Sequence, residues 1–437
     1  MPRRCSIYFI ALLALTGSGL SFAQGTSSPY SRFGLGELYH GFSAYNMAMG
    51  GTTFAFQNDS TAPFAISPAN PASLASLRLS SFEVGVSNTV TQLKSNQEKI
   101  LTNNVGLEQI IFGVPVGRKN RSAIAFGLQP YSRVGYNIGT ESQLDSVGKV
   151  RYNYQGSGGI NDVFLAGGFR TGRFSFGFSA SHLFGNVLAT YRDSFPSSGF
   201  YFNTRARKEI RVSDFVFRGG IQYKARIKSR WFMVAGLTGS MGTDMVTRTT
   251  TLVELLKFNT IIELARDTAL YEVDVKETRQ IPPSLGAGLM FKKGERLVFA
   301  ADYFFQDWTS FGNANTGIRY STARRLSLGF QYIPDKYADG KGNLSRRLQY
   351  RGGLRYSNHY LVLSKDIPYT EFSASTGLGI PLRKQRMGDT YTQSMLNFAL
   401  EGGYRGTTEN NLISETFFRI SIGLSLNEKW FIQRKYD

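Results

Sequence analysis

Ser81-Phe-Glu-Val-Gly-Val86 decides the fold. Phe82, Val84 and Val86 fall on one side of an extended chain, and Glu83, Gly85 and Ser87 on the other. The same period of two returns in Ala123-Ile-Ala-Phe-Gly-Leu128, Phe174-Ser-Phe-Gly-Phe-Ser179, Leu326-Ser-Leu-Gly-Phe330 and Ile420-Ser-Ile-Gly-Leu-Ser-Leu426. Large apolar residues alternate with Ser, Gly or Ala. A strand with lipid on its outer face and a packed or wet interior on its inner face needs that pattern.

Working outward, fourteen such strands are expected, centred near 84, 110, 125, 162, 178, 214, 238, 286, 302, 328, 353, 375, 399 and 420. An even number suits a closed antiparallel barrel with both termini on one side. Connections after odd strands read as long: 91–104, 131–149, 190–206 and 249–272. After even strands they shorten to turns such as Gly117-Arg-Lys-Asn120, Arg170-Thr-Gly-Arg173 and Lys292-Lys-Gly-Glu295, with 334–347 and 382–393 as exceptions. Two interruptions stand out. Gly156, Gly158 and Gly159 sit inside the fourth strand and read either as a plain bend or as a strand break that opens the wall sideways. Leu252 to Leu264 has apolar residues at nearly helical spacing and reads as a loop that either forms a short helix or offers an apolar surface.

Composition supports the same class. Aromatics make up 14% and charged residues only 19% of the chain, and no apolar run after the N-terminus reaches the length of a spanning helix. Residues 1–23 read as a secretory leader: Arg3 and Arg4, the apolar core Ile7 to Leu15, then Ser21-Phe-Ala23 as the cleavage site. Cys5, the one cysteine, leaves with it, so neither disulfides nor thiolate chemistry is expected. Losing Arg3 and Arg4 lowers the formal charge from +19 to +17. In an exported chain that excess points to lipid phosphates and lipopolysaccharide rather than to nucleic acid. Trp231, Trp308 and Trp430 suit an aromatic girdle, Trp231 just after Lys228 and Arg230. The pairs Arg324-Arg325 and Arg346-Arg347, and Arg205-Ala-Arg-Lys208, read as solvated turns or as rim charges.

Chemistry-bearing constellations are missing. His40, His182 and His359 lie far apart and in no metal-binding spacing, and no G-x-S-x-G elbow or Walker loop is present. Neither a cofactor nor an enzymatic activity is expected.

Residues 24–78 precede the first strand and differ from everything after it. Met49-Gly-Gly-Thr-Thr-Phe-Ala-Phe-Gln-Asn-Asp59 and Asn70-Pro-Ala-Ser73 are too polar and too punctuated by Gly and Pro for a long helix. They read as a plug around which the strands of 79–437 are wrapped. Ala48-Met-Gly-Gly-Thr52, Asn58-Asp-Ser60 and Asn70-Pro-Ala-Ser-Leu74 resemble the N-terminal hatch of FadL/TodX-type outer-membrane transporters of hydrophobic compounds. Ile281-Pro-Pro-Ser-Leu-Gly-Ala-Gly288 and Ala301-Asp-Tyr-Phe-Phe-Gln-Asp-Trp-Thr-Ser-Phe311 resemble a later strand pair of that family. Ser28-Pro-Tyr-Ser-Arg-Phe-Gly-Leu-Gly36 and Leu424 to Ile432 resemble its members in Bacteroidota.

The resemblance implies an all-β fold, a transmembrane antiparallel barrel of fourteen strands plugged by an N-terminal hatch. It implies passive uptake of hydrophobic small molecules such as long-chain fatty acids, gated by the hatch and released sideways into the membrane. In the family that opening lies in the third strand. PorV-like members serve protein secretion or surface attachment, and that alternative stays open, with secretion-system proteins as partners. The site residues expected are Arg32, Phe33, Gly50, Gly51, Asn70 and Pro71 on the hatch. A hatch inside the barrel would oblige Arg32 to find a ligand carboxylate or an inward glutamate such as Glu83.

Overall fold

The computed structural model describes residues 26–57, 65–117, 121–145, 147–196, 201–259, 262–294, 296–311, 319–336, 338, 344–363, 367–382, 385–387 and 390–428. The expected leader and its cleavage after Ala23 lie outside these residues, as do Asn58, Asp59, Ser60 and Trp430.

Among the described residues, fourteen wall strands close into one antiparallel barrel. They are β1 Ser80–Lys94, β2 Lys99–Val116, β3 Ser122–Leu144, β4 Gly148–Thr171, β5 Phe174–Ser194 and β6 Asn203–Lys228. Next come β7, Trp231–Ser240 continued by Thr243–Asn259, and β8, Ile262–Ile281 continued by Ser284–Lys293. The rest are β9 Leu297–Asp307, β10 Thr322–Tyr332, β11 Gln349–Leu363, β12 Ile367–Pro381, β13 Met395–Gly406 and β14 Ser414–Glu428. Pairing of β14 with β1, from Ser80↔Glu428 to Lys94↔Ser414, closes the sheet and leaves no lipid-facing edge at the seam. Every centre expected from the alternation falls inside its strand. In β10, Leu326, Leu328 and Phe330 point out, while Arg325, Ser327 and Gln331 are buried.

The outer hairpins differ from expectation. Strands occupy most of the stretches read as long loops: β1 and β2 run to within four residues of each other, at 95–98, and β3 and β4 to within three, at 145–147. Residues 252–259 and 262–264 belong to strands β7 and β8 rather than to a helix. The bulges of this hairpin, at Ala265/Asp267, Thr268/Leu270 and Glu272/Val275, lie beyond that stretch. On the opposite rim, 334–347 contains the helical turn Leu344–Arg347, and 382–393 contains a small hairpin.

Residues 26–57 and 65–79 pack inside the wall. They form a 3-10 turn Pro29–Arg32, a short strand Glu37–Leu38, a helical turn Ala44–Met47 and a second 3-10 turn Pro71–Ser76. The Ser43 hydroxyl accepts the Asn46 N–H, and the Asn70 side chain accepts the Ala72 N–H, so two of these short turns have capped starts.

Candidate functional site

Glycines on the inner face of the wall determine how the N-terminal segment sits. A Cβ at Gly177 or Gly220 would overlap Pro71 or the Asn70 side chain, and one at Gly236 would overlap the Phe54 carbonyl. Gly329 faces the Met49 carbonyl and Gly353 the Gly50 nitrogen in the same way. On β2, Gly113 receives Ile66 and Leu77. Five of these six contacts meet backbone or a capping side chain, so the segment touches the wall at distances that only a residue without a side chain allows. Gly50 and Gly51 both have positive φ, 68° and 85°. A Cβ on Gly50 would run into the Leu328 and Leu354 carbonyls. Asn70 is fully buried and donates to the Phe54 carbonyl at 2.7 Å.

Polar side chains of the wall satisfy the segment's backbone. The Asp302 carboxylate of β9 accepts the N–H groups of Thr53 and Phe54. Gln222 of β6 donates to the carbonyls of Phe54 and Phe56. Glu83 of β1 accepts the Ile66 N–H at 2.8 Å. A buried segment with little regular structure needs such partners for its main chain. Asp302 and Gln222 were not singled out in the sequence. The one signal they carried was a polar residue on the inner face of an alternating strand.

Among the described residues, Arg32 pairs with no inward glutamate. It is exposed toward the outer mouth, with its guanidinium 5.1 Å from the Tyr154 ring and 4.9 Å from that of Phe33. The charged contact between segment and wall is made instead by Glu37. Arg405 of β13 binds Glu37 and also Glu415 of β14, the latter at 2.6 Å. Arg355, Glu371, Glu401 and Arg419 extend the network across β11 to β14. Burial alone would raise the Glu37 carboxyl, but the Arg405 guanidinium outweighs it and holds the group at about 2.

Among the described residues, the pairing of β2 with β3 stops part-way up the wall. β2 and β3 pair only from Ile110↔Leu128 to Val116↔Ser122. Above that level β3 continues, paired with β4, while β2 continues, paired with β1. Pro130 lacks the N–H that would extend the ladder, and the adjacent bulge at Tyr131 turns the strand. The segment lies behind the gap. Glu37 and Leu38 pair with Arg133 and Ser132, and Arg133 donates to the Leu107 carbonyl on β2 while stacking on Tyr39. By contrast, β4 is paired with β5 continuously from Arg151 to Thr171, through Gly156, Gly158 and Gly159. The glycines let β4 pass close to its neighbours, since a Cβ on Gly156 would enter the Tyr136 ring. The ladder is unbroken there.

Three spaces follow from this arrangement. An outer basin of about 1530 Å³ lies between the rising strands β3–β8 and the tip of the β1–β2 hairpin. Beneath it an aromatic cluster including Tyr30, Trp308, Phe311 and Tyr360 fills the upper lumen. Trp308 is thus an interior residue and not part of a girdle. Below lie a cavity of about 110 Å³ bordered by Leu38, Phe54, Pro130 and Tyr131, and one of about 50 Å³ against the charged network.

The BamG family model matches residues 1–437. No curated protein matches. Among solved structures, the Pseudomonas putida toluene transporter TodX aligns over 90% of this chain and 99% of its own, with 16% identity and a TM-score of 0.57. A Pseudomonas aeruginosa FadL homologue aligns over 90% of this chain and 100% of its own, with 12% identity and a TM-score of 0.56. The CymD monoaromatic hydrocarbon channel gives 91% and 99%, 13% identity and 0.51. At these identities the likeness is one of fold. The closed barrel is an outer-membrane fold, and TodX and CymD are named as a transporter and a channel, not as enzymes.

Proposed function

The chain belongs to the BamG family along its whole length, and from its geometry we propose that it conducts small hydrophobic or amphipathic molecules through the outer membrane. The ligand collects in the outer basin, passes the N-terminal segment, and leaves sideways between β2 and β3. The observation that carries this reading is the 110 Å³ cavity whose border includes Pro130 and Tyr131, the residues at which β3 parts from β2. A hydrophobic solute moves from such a cavity into lipid without crossing water. The segment acts as the hatch, because it lies between basin and gap. A cavity of this size suits a body of one ring or a short chain. A long-chain fatty acid would need the aromatic cluster to rearrange.

The gap gives the test. Arg133→Ala removes the side chain that bridges β2 and β3, and is expected to speed release of a small hydrophobe such as ethylbenzene into proteoliposome membranes. Arg133→Trp fills the gap and is expected to slow it. Equal rates in both variants and the parent would remove the lateral route.

A second reading rests on the height of β3–β8. β6 has 26 residues, whereas about 9–11 residues of tilted strand cross a bilayer. The sheet therefore stands well clear of the membrane and offers its basin to a protein, as a secretion or surface-attachment component would. Stable co-purification of a partner that shields the basin, with no ethylbenzene transfer, would favour it.

A further inference from the structure

The cavity behind the gap is not lined for a neutral hydrocarbon. Arg325 of β10, in a pair read from sequence as solvated, points inward and is 5% exposed. Its guanidinium is stacked between Phe42 and Phe304, 4.9 and 5.0 Å from the ring centres. Its Nη1 has no hydrogen-bond partner, and among the described residues it makes no ion pair. A buried cation left in that state is costly. Across the lumen, on β3 and β4, the Gln129 amide donates to Asp162 at 3.0 Å. That bond leaves Gln129 Oε1 and Asp162 Oδ1, both buried, without donors. The cavity thus presents the unanswered Arg325 donor and two unanswered acceptors, with Phe54, Phe304 and Tyr131 on its border and Arg218 already donating to the Pro68 carbonyl.

The geometry points to a binding site for a small aromatic acid that carries a hydrogen-bond donor at its far end, with its carboxylate on Arg325 and its hydroxyl toward Gln129 and Asp162. This rests on the channel reading above and names the ligand class. The aromatic walls take the ring, the guanidinium takes the anion in a charge-assisted bond, and the free acceptors take the hydroxyl. Each polar end then answers a group that burial otherwise leaves unpaired. The Asp162 carboxylate would repel an anion, so the acid end belongs on the Arg325 side.

The test is calorimetric titration of the full mature chain in nanodiscs with 4-hydroxyphenylacetate, phenylacetate, 4-ethylphenol and ethylbenzene. 4-Hydroxyphenylacetate is expected to bind about tenfold or more tighter than either 4-ethylphenol, which lacks the anion, or phenylacetate, which lacks the donor. Arg325→Gln is expected to erase the preference for the acid and Asp162→Asn to weaken the preference for the hydroxyl, while Arg324→Gln, on the outward face, changes neither. Arg325→Lys keeps a cation and is expected to retain part of the acid preference, so a folding defect in one variant does not decide the matter. Retention of folded-barrel migration on unheated gels identifies variants that assemble. Binding of ethylbenzene without preference for the acid would overturn this inference and leave the channel reading standing. No binding of any of the four, with water alone answering Arg325, would overturn both.

Discussion

Arg405→Ala is expected to destabilise the barrel by about 3–5 kcal/mol, the range for breaking a buried pair by removing one partner. Arg405 is the one described side chain that joins the N-terminal segment to β13 and β14 by charge, through Glu37 and Glu415. Glu371 lies 3.6 Å away. Alanine leaves Glu37 and the buried Glu415 facing a space without their cation, while Glu371 keeps Arg355 at 3.0 Å. Thr26 and Ser28 donate to Glu37 and Glu415 at 2.6 Å, so the first residues of the segment loosen with them. Urea unfolding in lipid vesicles measures the loss, and proteolysis near residue 30 reports the loosened segment. Glu37→Gln should cost much less, because it removes a charge and keeps a hydrogen-bonding group. The same pair sets an acid limit. The Glu37 carboxyl lies at about 2 instead of its ordinary 4.5. A depressed carboxyl contributes stability that is present above pH 4.5 and lost as pH falls through 2. The segment should therefore stay attached at pH 4 and loosen near pH 2. Arg405→Ala should bring that loosening to a higher pH. Unchanged stability in Arg405→Ala would mean that the segment is held by packing alone.

The wall was legible because lipid outside and a packed lumen inside impose a period of two on every membrane-crossing strand, as in Leu326 to Phe330. What the alternation hides is what each inward residue meets. Gly329 and Gly353 read simply as small inward positions, but their partners, Met49 and Gly50, lie about 300 residues earlier in the chain. The motif at Met49 to Thr52 was visible, whereas the wall positions that receive it were not. The gap was misplaced for a related reason. Glycines at 156–159 are a louder signal than one proline, yet glycine keeps its N–H and stays in the ladder. Pro130 has none, and the pairing of β2 with β3 ends beside it. The sequence shows charge and not depth: Arg32 is exposed and Arg325 is buried.

Gly353→Leu is expected to unseat the N-terminal segment while leaving the barrel closed. The Cβ alone would overlap the Gly50 nitrogen and the Met49 carbonyl carbon. These are backbone atoms and cannot rotate aside as a side-chain end would. Gly50 has little room on its other side, since a Cβ there would run into the Leu328 and Leu354 carbonyls, and it holds a φ of 68° that suits glycine. Overpacking ordinarily costs about 1–3 kcal/mol when side chains can adjust. Here the segment itself must move, and with it the hydrogen bond from the Gly50 N–H to Ser375, 3.1 Å long. The strand ladder on both sides of Gly353 does not involve its side chain, so β10, β11 and β12 stay paired. The readouts are faster protease cleavage within residues 40–57, a rise in ion conductance across planar bilayers, and folded-barrel migration like that of the parent. Gly402→Leu on β13 is the control, because a Cβ there meets nothing within 4 Å. If Gly353→Leu matched Gly402→Leu in all three readouts, the close seating of the segment would carry no energy. If it conducted while Gly402→Leu did not, the glycines of the inner wall would be what holds the passage shut.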